Sequence, residues 1–259
     1  MTRQSKIRAA LAVVVALGAL VALNSVYHFT GGYGRVVDGL ISRNVAARGG
    51  ADAWQSVNAL RFAGQMDLGQ GLSVPYVMEK KRPGMMCLEF AFDGETAIQC
   101  VNGDSGWKLL PFRGRNKPES MTETELQKLA DTVSIDGVLL GAAVRGDKIK
   151  FLGKETVDGK TASKLQITLP GNILRWVYLD DESGLEIKLQ HTMVVRGEER
   201  IVETVYSDWR EVQGVLLSHR QDTQIEGDTD SQFVTVNKVD INPPIDDARF
   251  ALPVAANAS

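Results

Sequence analysis

Histidine and cysteine are scarce in this chain. Three histidines (His28, His191, His219) and two cysteines (Cys87, Cys100) serve 259 residues. No HExxH, CxxC or GxSxG pattern occurs, nor a phosphate-binding loop or a GxGxxG opening a helix, so the familiar metal, acyl-transfer and nucleotide chemistries lack their residues. His191 falls on the apolar parity of its strand and His219 in a surface-like strand, both as packed or solvated residues rather than ligands. The acids at Asp180-Asp181-Glu182 and Asp246-Asp247 read as solvated turn and loop residues, without the alternating pattern of a calcium loop. No catalytic residue, metal or cofactor is expected, and the chain is not read as an enzyme. Basic residues are not concentrated either. Lys80-Lys81-Arg82 is the only cluster, and net charge is −3, which argues against nucleic-acid binding.

Charge is also missing between Arg8 and Arg35. Arg3, Lys6 and Arg8 precede the apolar run Ala9–Leu23, the pattern of an export signal. No cysteine lies near the end of the run, and Leu23-Asn24-Ser25 is a poor cleavage site. Residues 9–29 are long enough to span a bilayer at about 20 residues, with Tyr27 and Phe29 at the interface. An uncleaved signal anchor is therefore favoured over a cleaved peptide, with secretion after cleavage the alternative. Basic flanks stay cytoplasmic, so the body is expected in the periplasm or otherwise outside the cytoplasm, tethered to the inner membrane. The expected division is a signal or anchor over 1–30, a linker over 31–35, one domain over 36–253 and a tail over 254–259.

The body is rich in short alternating runs. Arg35–Arg48 carries a helical stripe (Val37, Leu40, Ile41, Val45) ended by Gly49-Gly50, and a short turn with Trp54 and Val57 follows. Thr122–Glu125 is a capping-box pattern, and Val138–Val144 is a second short helix or turn. Elsewhere, strand-like segments recur between glycine turns, which implies one large antiparallel sheet. About eleven strands are expected, and a twisted sheet of that size curls. The fold class is α+β: an open half-barrel with two or three helices across its concave face. Pro75 places its strand at an edge or a bulge, and Arg113–Ser120 reads as a polar loop.

Lys81–Phe112 organises the sheet. Asp93-Gly94 between two strand-like runs is a type I′ hairpin signal. If Phe92 faces Glu95, then Cys87 faces Cys100 on a non-hydrogen-bonded rung, where Cα atoms approach closest and a cross-strand disulfide fits. The alternative is two small apolar thiols on a strand. Methionines and aromatics gather nearby. Phe62, Met66, Met78, Met86, Leu88, Phe90, Phe92, Trp107 and Trp176 are candidates for an apolar cavity, since unbranched polarizable side chains accept variable apolar shapes. Packing beneath the helices is the competing role for each.

Several segments, in order, resemble the LolA/LolB-like superfamily of outer-membrane-lipoprotein-sorting-like periplasmic proteins. They are ARGGADAW (Ala47–Trp54), LRFAGQM (Leu60–Met66), EKKRPGMMCLEF (Glu79–Phe90), the Gly106–Phe112 element, MTETELQKLAD (Met121–Asp131), LGKETVDGKTASKLQITL (Leu152–Leu169), YLDDESGLEIK (Tyr178–Lys188) and PPIDDARFALP (Pro243–Pro253). The resemblance implies an unclosed barrel plugged by helices, whose concave face holds lipoprotein acyl chains. Other members act as sensors or lipid shuttles beside inner-membrane exporters. Two functions follow as expectations. One is a carrier-like protein holding lipid or lipoprotein acyl chains, attached to the membrane by its N-terminal segment. The other is an interaction module, an envelope sensor or exporter subunit without lipid cargo.

Overall fold

The computed structural model describes residues 33–67, 72–111, 114–195, 197–228 and 231–253. The expected signal or anchor, 1–30, and the tail, 254–259, lie outside them. Two helices open the described chain, α1 (Arg35–Ala47) and α2 (Ala51–Ser56). Gly49 and Gly50 follow α1 at positive φ, 110° and 89°, as the glycine pair predicts. Strands β1 (Ala59–Asp67), β2 (Ser73–Lys81), β3 (Met85–Phe92), β4 (Glu95–Asn102), β5 (Ser105–Leu110) and β6 (Arg115–Ser120) come next. Then come α3 (Glu123–Val133) and α4 (Gly137–Arg145). β7 (Lys148–Val157), β8 (Lys160–Leu169), β9 (Ile173–Asp180), β10 (Glu186–Val195), β11 (Glu198–Val212), β12 (Val215–Ile225) and β13 (Ser231–Ile241) complete the sheet. A 3₁₀ segment, Asp247–Phe250, closes the described chain.

All thirteen strands form one open antiparallel sheet in the order β6-β5-β4-β3-β2-β1-β13-β12-β11-β10-β9-β8-β7. Two more strands are present than the sequence suggests. β6 was expected as a loop, because its residues are polar. It is a strand because β5 offers it a ladder, and Lys117 and Pro118 suit it to end the sheet, where lysine and proline discourage further pairing.

The organising hairpin forms as its turn chemistry requires. Asp93 and Gly94 have φ of 52° and 77°, and Phe92 pairs with Glu95 and Cys87 with Cys100. The two cysteines are disulfide-bonded, their Cα atoms 4.1 Å apart. Pro75 departs from its expectation, since β2 is an interior strand. Pairing of β2 with β3 begins only at Tyr76, so Pro75 lies just beyond the last rung of that ladder and interrupts none of it.

Register separates the two faces. On the inner face β2 presents Val74, Tyr76, Met78 and Lys80, opposite Phe90, Leu88 and Met86 of β3. The outer face of this half carries Cys87, Cys100, Trp107 and Met85, packed under Phe250 and Ile245 of the C-terminal segment. At the other end of the sheet α1 and α4 lie on the inner face. Val37, Ile41, Val45, Leu139 and Leu140 pack there against Ile149, Leu165, Ile167 and Val177.

The connection between the sheet's two edge strands, β6 and β7, contains α3 and α4 and crosses the inner face. Thr122 caps α3 through the expected box: Glu125 N donates to Thr122 Oγ1 at 3.3 Å, and Thr122 N donates to Glu125 Oε2 at 2.9 Å. The Ser134–Asp136 joint between α3 and α4 is fastened to the sheet. Arg82, just past β2, donates to both carboxylate oxygens of Asp136 at 2.7 and 2.5 Å.

Candidate functional site

A cavity of about 460 Å³ lies beneath the α3–α4 joint. Its wall takes residues from β2 at one side (Tyr76, Met78, Lys80) and from β9 and β10 at the other (Val177, Glu186, Leu189, His191). β10 and β9 stand five and six spacings from β2, roughly 24 and 29 Å in a flat sheet. One cavity touching both shows that the sheet bends around it.

The floor is mixed. Phe62, Met78, Leu217, Val234 and Val236 are apolar; Thr204, Tyr206, Ser218, Gln221 and Thr223 are not. Thr204 and Thr223 satisfy one another across the β11–β12 rung at 3.0 Å. Burial pushes the Tyr76 phenol up to about 12, so it stays protonated at any physiological pH. Trp209 contributes its indole, whose buried Nε1 has no hydrogen-bond partner among the described residues.

Three charged side chains enter the wall: Arg48, Lys80 and Glu186. Arg48 follows α1 and is 5% exposed. Its guanidinium stacks 4.2 Å from the centre of the Trp54 ring. Its Nη1 donates to the Asp136 carbonyl at 2.7 Å and lies 3.6 Å from a Glu186 oxygen. Its Nε is buried without a partner among the described residues. Glu186 also accepts from Asn44 Nδ2 at 3.1 Å, so Arg48 balances the charge of this acid and Asn44, on α1, orients it. Lys80 is different. It donates to the Ser134 carbonyl at 3.3 Å and stands 5.9 Å from the Phe62 ring centre. The nearby acid, Asp136, is clasped by Arg82. Desolvation, with repulsion from Arg48, lowers the Lys80 pKa from 10.5 to about 8.

Of the residues expected from sequence, Phe62 and Met78 line this cavity. Phe90 is buried beside it in a cluster with Val74, Tyr76, Ala97 and Leu110, against which Met66, Leu88 and Phe92 pack. Met86 faces the same side and is fully buried. Trp107 and Trp176 lie on the outer face and take no part in the wall. Trp107 donates to the Phe250 carbonyl at 3.1 Å, and Trp176 packs near Val157 and Tyr178. Strand alternation explains Trp176: its neighbour Val177 is the inward residue.

Sequence reasoning missed Lys80, Arg48 and Glu186. Lys80 was signalled, because it continues the parity of Val74, Tyr76 and Met78. Glu186 was not. A register shift between Glu186 and Lys188 turns the acid inward opposite Leu179 and sends Ile187 out. His191 lines the cavity. His219, expected near the surface, is 5% exposed, with Nδ1 3.0 Å from the Leu217 carbonyl. Asp180 is likewise buried rather than solvated, accepting from Ser183 Oγ at 2.7 Å.

No known family profile matches the chain, nor does any curated protein. Solved structures do share its fold. A domain described as an outer membrane lipoprotein-sorting protein from Vibrio parahaemolyticus superposes with a TM-score of 0.56 at 10% identity, covering 82% of this chain and 94% of that one. A DUF1329 family protein from Desulfovibrio piger gives 0.59 at 12% identity, covering 83% and 97%. A LolA superfamily protein from Nitrosomonas europaea gives 0.56 at 10%, also covering 83% and 97%. The resemblance to the LolA/LolB-like superfamily seen in the sequence therefore holds at the level of the fold.

Proposed function

We propose that this protein is a carrier-like lipid binder acting outside the cytoplasm, with an acyl chain held in the concave cavity and no catalytic step. The observation that carries the reading is the cavity itself. About 460 Å³ falls within the ~300–1,000 Å³ of small-molecule sites, walled by Phe62, Met78, Leu217 and Val236 beneath the helix joint. Apolar burial supplies the affinity, at ~25 cal/mol per Å² before the costs of association. Phe62 and Met78 contact the chain directly, while Met66, Leu88, Phe90 and Phe92 extend the apolar surface beyond it.

The Cys87–Cys100 disulfide supports an oxidising compartment, as does the basic-then-apolar N-terminus. Residues 9–29 tether the body to the inner membrane, and an exporter in that membrane is the candidate protein partner. Native mass spectrometry of protein purified without detergent tests the reading. It is expected to show bound lipid in the wild type and none in Val236→Trp, whose side chain enters the cavity. Wild-type protein carrying no lipid, and taking up none from vesicles, overturns it.

A further inference from the structure

The cavity wall is apolar over most of its length but carries a cationic end. Lys80 and Arg48 both reach the Ser134–Asp136 segment, one at the Ser134 carbonyl and the other at the Asp136 carbonyl. Among the described residues Glu186 is the single acid in the lining, and it is already engaged by Arg48 and Asn44. Asp136 holds Arg82 through both oxygens. Lys80 is thus a cation that donates to one carbonyl, at 3.3 Å, on the wall of a space where a partner has room. The Arg48 Nε is a second donor, with no acceptor among the described residues. Buried donors and charges in this condition are unfavourable until a ligand satisfies them.

We propose that the cavity takes a single-chain amphiphile ending in a carboxylate, with that carboxylate received by Lys80 and Arg48 and the chain lying along Phe62, Met78 and Val236. This rests on the lipid-binding reading and adds the ligand's class. The size of the cavity favours one chain. The charge favours a monoanion, since two cations and one acid leave one positive charge to neutralise. The ammonium of Lys80, a compact point charge with three donors, suits a carboxylate placed at the end of a flexible chain. His191 also lines the cavity, from β10 across from Lys80, and the other titratable groups there are the Tyr76 and Tyr206 phenols.

Displacement of a fluorescent fatty acid from delipidated protein at pH 7 tests this with three competitors: hexadecanoate, its methyl ester and hexadecyl phosphate. A charge-assisted bond predicts that wild type prefers the acid over the ester by about tenfold or more. In Lys80→Met that preference is expected to collapse, and in Lys80→Arg to persist, with bound ester serving as the control for folding. Equal binding of acid and ester by the wild type, or an acid preference retained in Lys80→Met, overturns the head-group assignment and leaves the lipid cavity standing. Tighter binding of hexadecyl phosphate than of hexadecanoate overturns the carboxylate assignment. If the wild type binds neither acid nor ester, the lipid-binding reading itself has failed.

Discussion

Lys80 places a measurable strain on the ligand-free protein. Its pKa of about 8 against an ordinary 10.5 means that folding disfavours the ammonium. Lys80 is partly exposed, so water offsets part of the cost; at about 1.36 kcal/mol per pH unit, keeping it charged at neutral pH costs at most about 3 kcal/mol. Because the folded pKa is the lower one, the unfolded chain holds the extra proton between pH 8 and 10.5. Unfolding then takes up a proton and stability rises with pH across that window. Below pH 8 both states are protonated and the whole cost is present. Lys80→Met removes the charge at similar volume and also removes the bond to the Ser134 carbonyl, worth about 1.5 kcal/mol. Delipidated Lys80→Met is therefore expected to be more stable than wild type by up to about 1–2 kcal/mol at pH 7. The advantage should shrink as pH rises above 8 and disappear or reverse by pH 10.5. Urea unfolding of both proteins at pH 7 and at pH 10 reads this difference directly, since the other titrating groups are common to both. A variant less stable than wild type at pH 7, by an amount independent of pH, would show that Lys80 is fully satisfied in the folded protein and refute the reasoning.

Other perturbations follow from the two faces of the sheet. A Cβ on Gly64 would overlap the Thr235 carbonyl oxygen at the β1–β13 bulge, a backbone clash with no flexible side chain to yield; Gly64→Ala is expected to lose about 2–3 kcal/mol in urea unfolding. Reducing Cys87–Cys100, which closes a loop of separation 13, is expected to lower stability by about 3 kcal/mol on the chain-entropy account. It should leave ligand affinity unchanged, because the bond lies on the outer face. Glu125 has its pKa held down to about 2, first by its bond with Lys108 and then by the Thr122 backbone. Its side chain is 37% exposed, so the effect is modest. Its contribution is present above the ordinary carboxyl value of 4.5 and is lost as pH falls toward 2. Circular dichroism is expected to show α3 fraying over that range in wild type and not in Glu125→Gln, which lacks the charge throughout.

What the sequence disclosed was what depends on short-range chemistry. Asp93-Gly94 requires positive φ at both residues, and once that turn is set every rung of β3–β4 follows, including the cysteine pair. Thr122 and Glu125 specify their own capping box. The pair Gly49-Gly50 ends α1 because a left-handed residue is needed there. The readings that failed depend on partners far along the chain. β6 is a strand only because β5 lies beside it. Pro75 is tolerated in an interior strand because the β2–β3 ladder stops at Tyr76. Glu186 faces inward because of an irregularity between β9 and β10, and nothing in Gly184–Lys188 marks it. Trp107 and Trp176 were grouped with the cavity by residue type. Their faces are fixed by their neighbours, Lys108 bonding to α3 on one side and Val177 entering the core on the other. Lys80 was legible by parity and hidden by its membership of a basic cluster.

The cavity is a consequence of topology as well as of side chains. The chain must pass from β6 at one edge to β7 at the other, and it does so across the inner face. α3 and α4, with 11 and 9 residues, are about 16 and 14 Å long at 1.5 Å per residue. They cover the flanks: α3 over β5, where Lys108 meets Glu125, and α4 over β7 and β8. The joint between them spans the middle with a few residues. The central strands β10–β13 are left beneath that joint, and they offer Thr204, Thr223, Gln221 and Ser218 beside their apolar residues. A surface meant only for packing has no use for such side chains or for Lys80, since each must be satisfied or paid for elsewhere. The disulfide and the Asp247–Phe250 segment with its Trp107 bond brace β3, β4 and β5 instead, from the opposite face. The outer-face brace and the cavity thus lie on opposite faces of the sheet and on different strands, which is why a variant of the brace is expected to move unfolding without moving affinity, and Lys80→Met to move both in opposite directions.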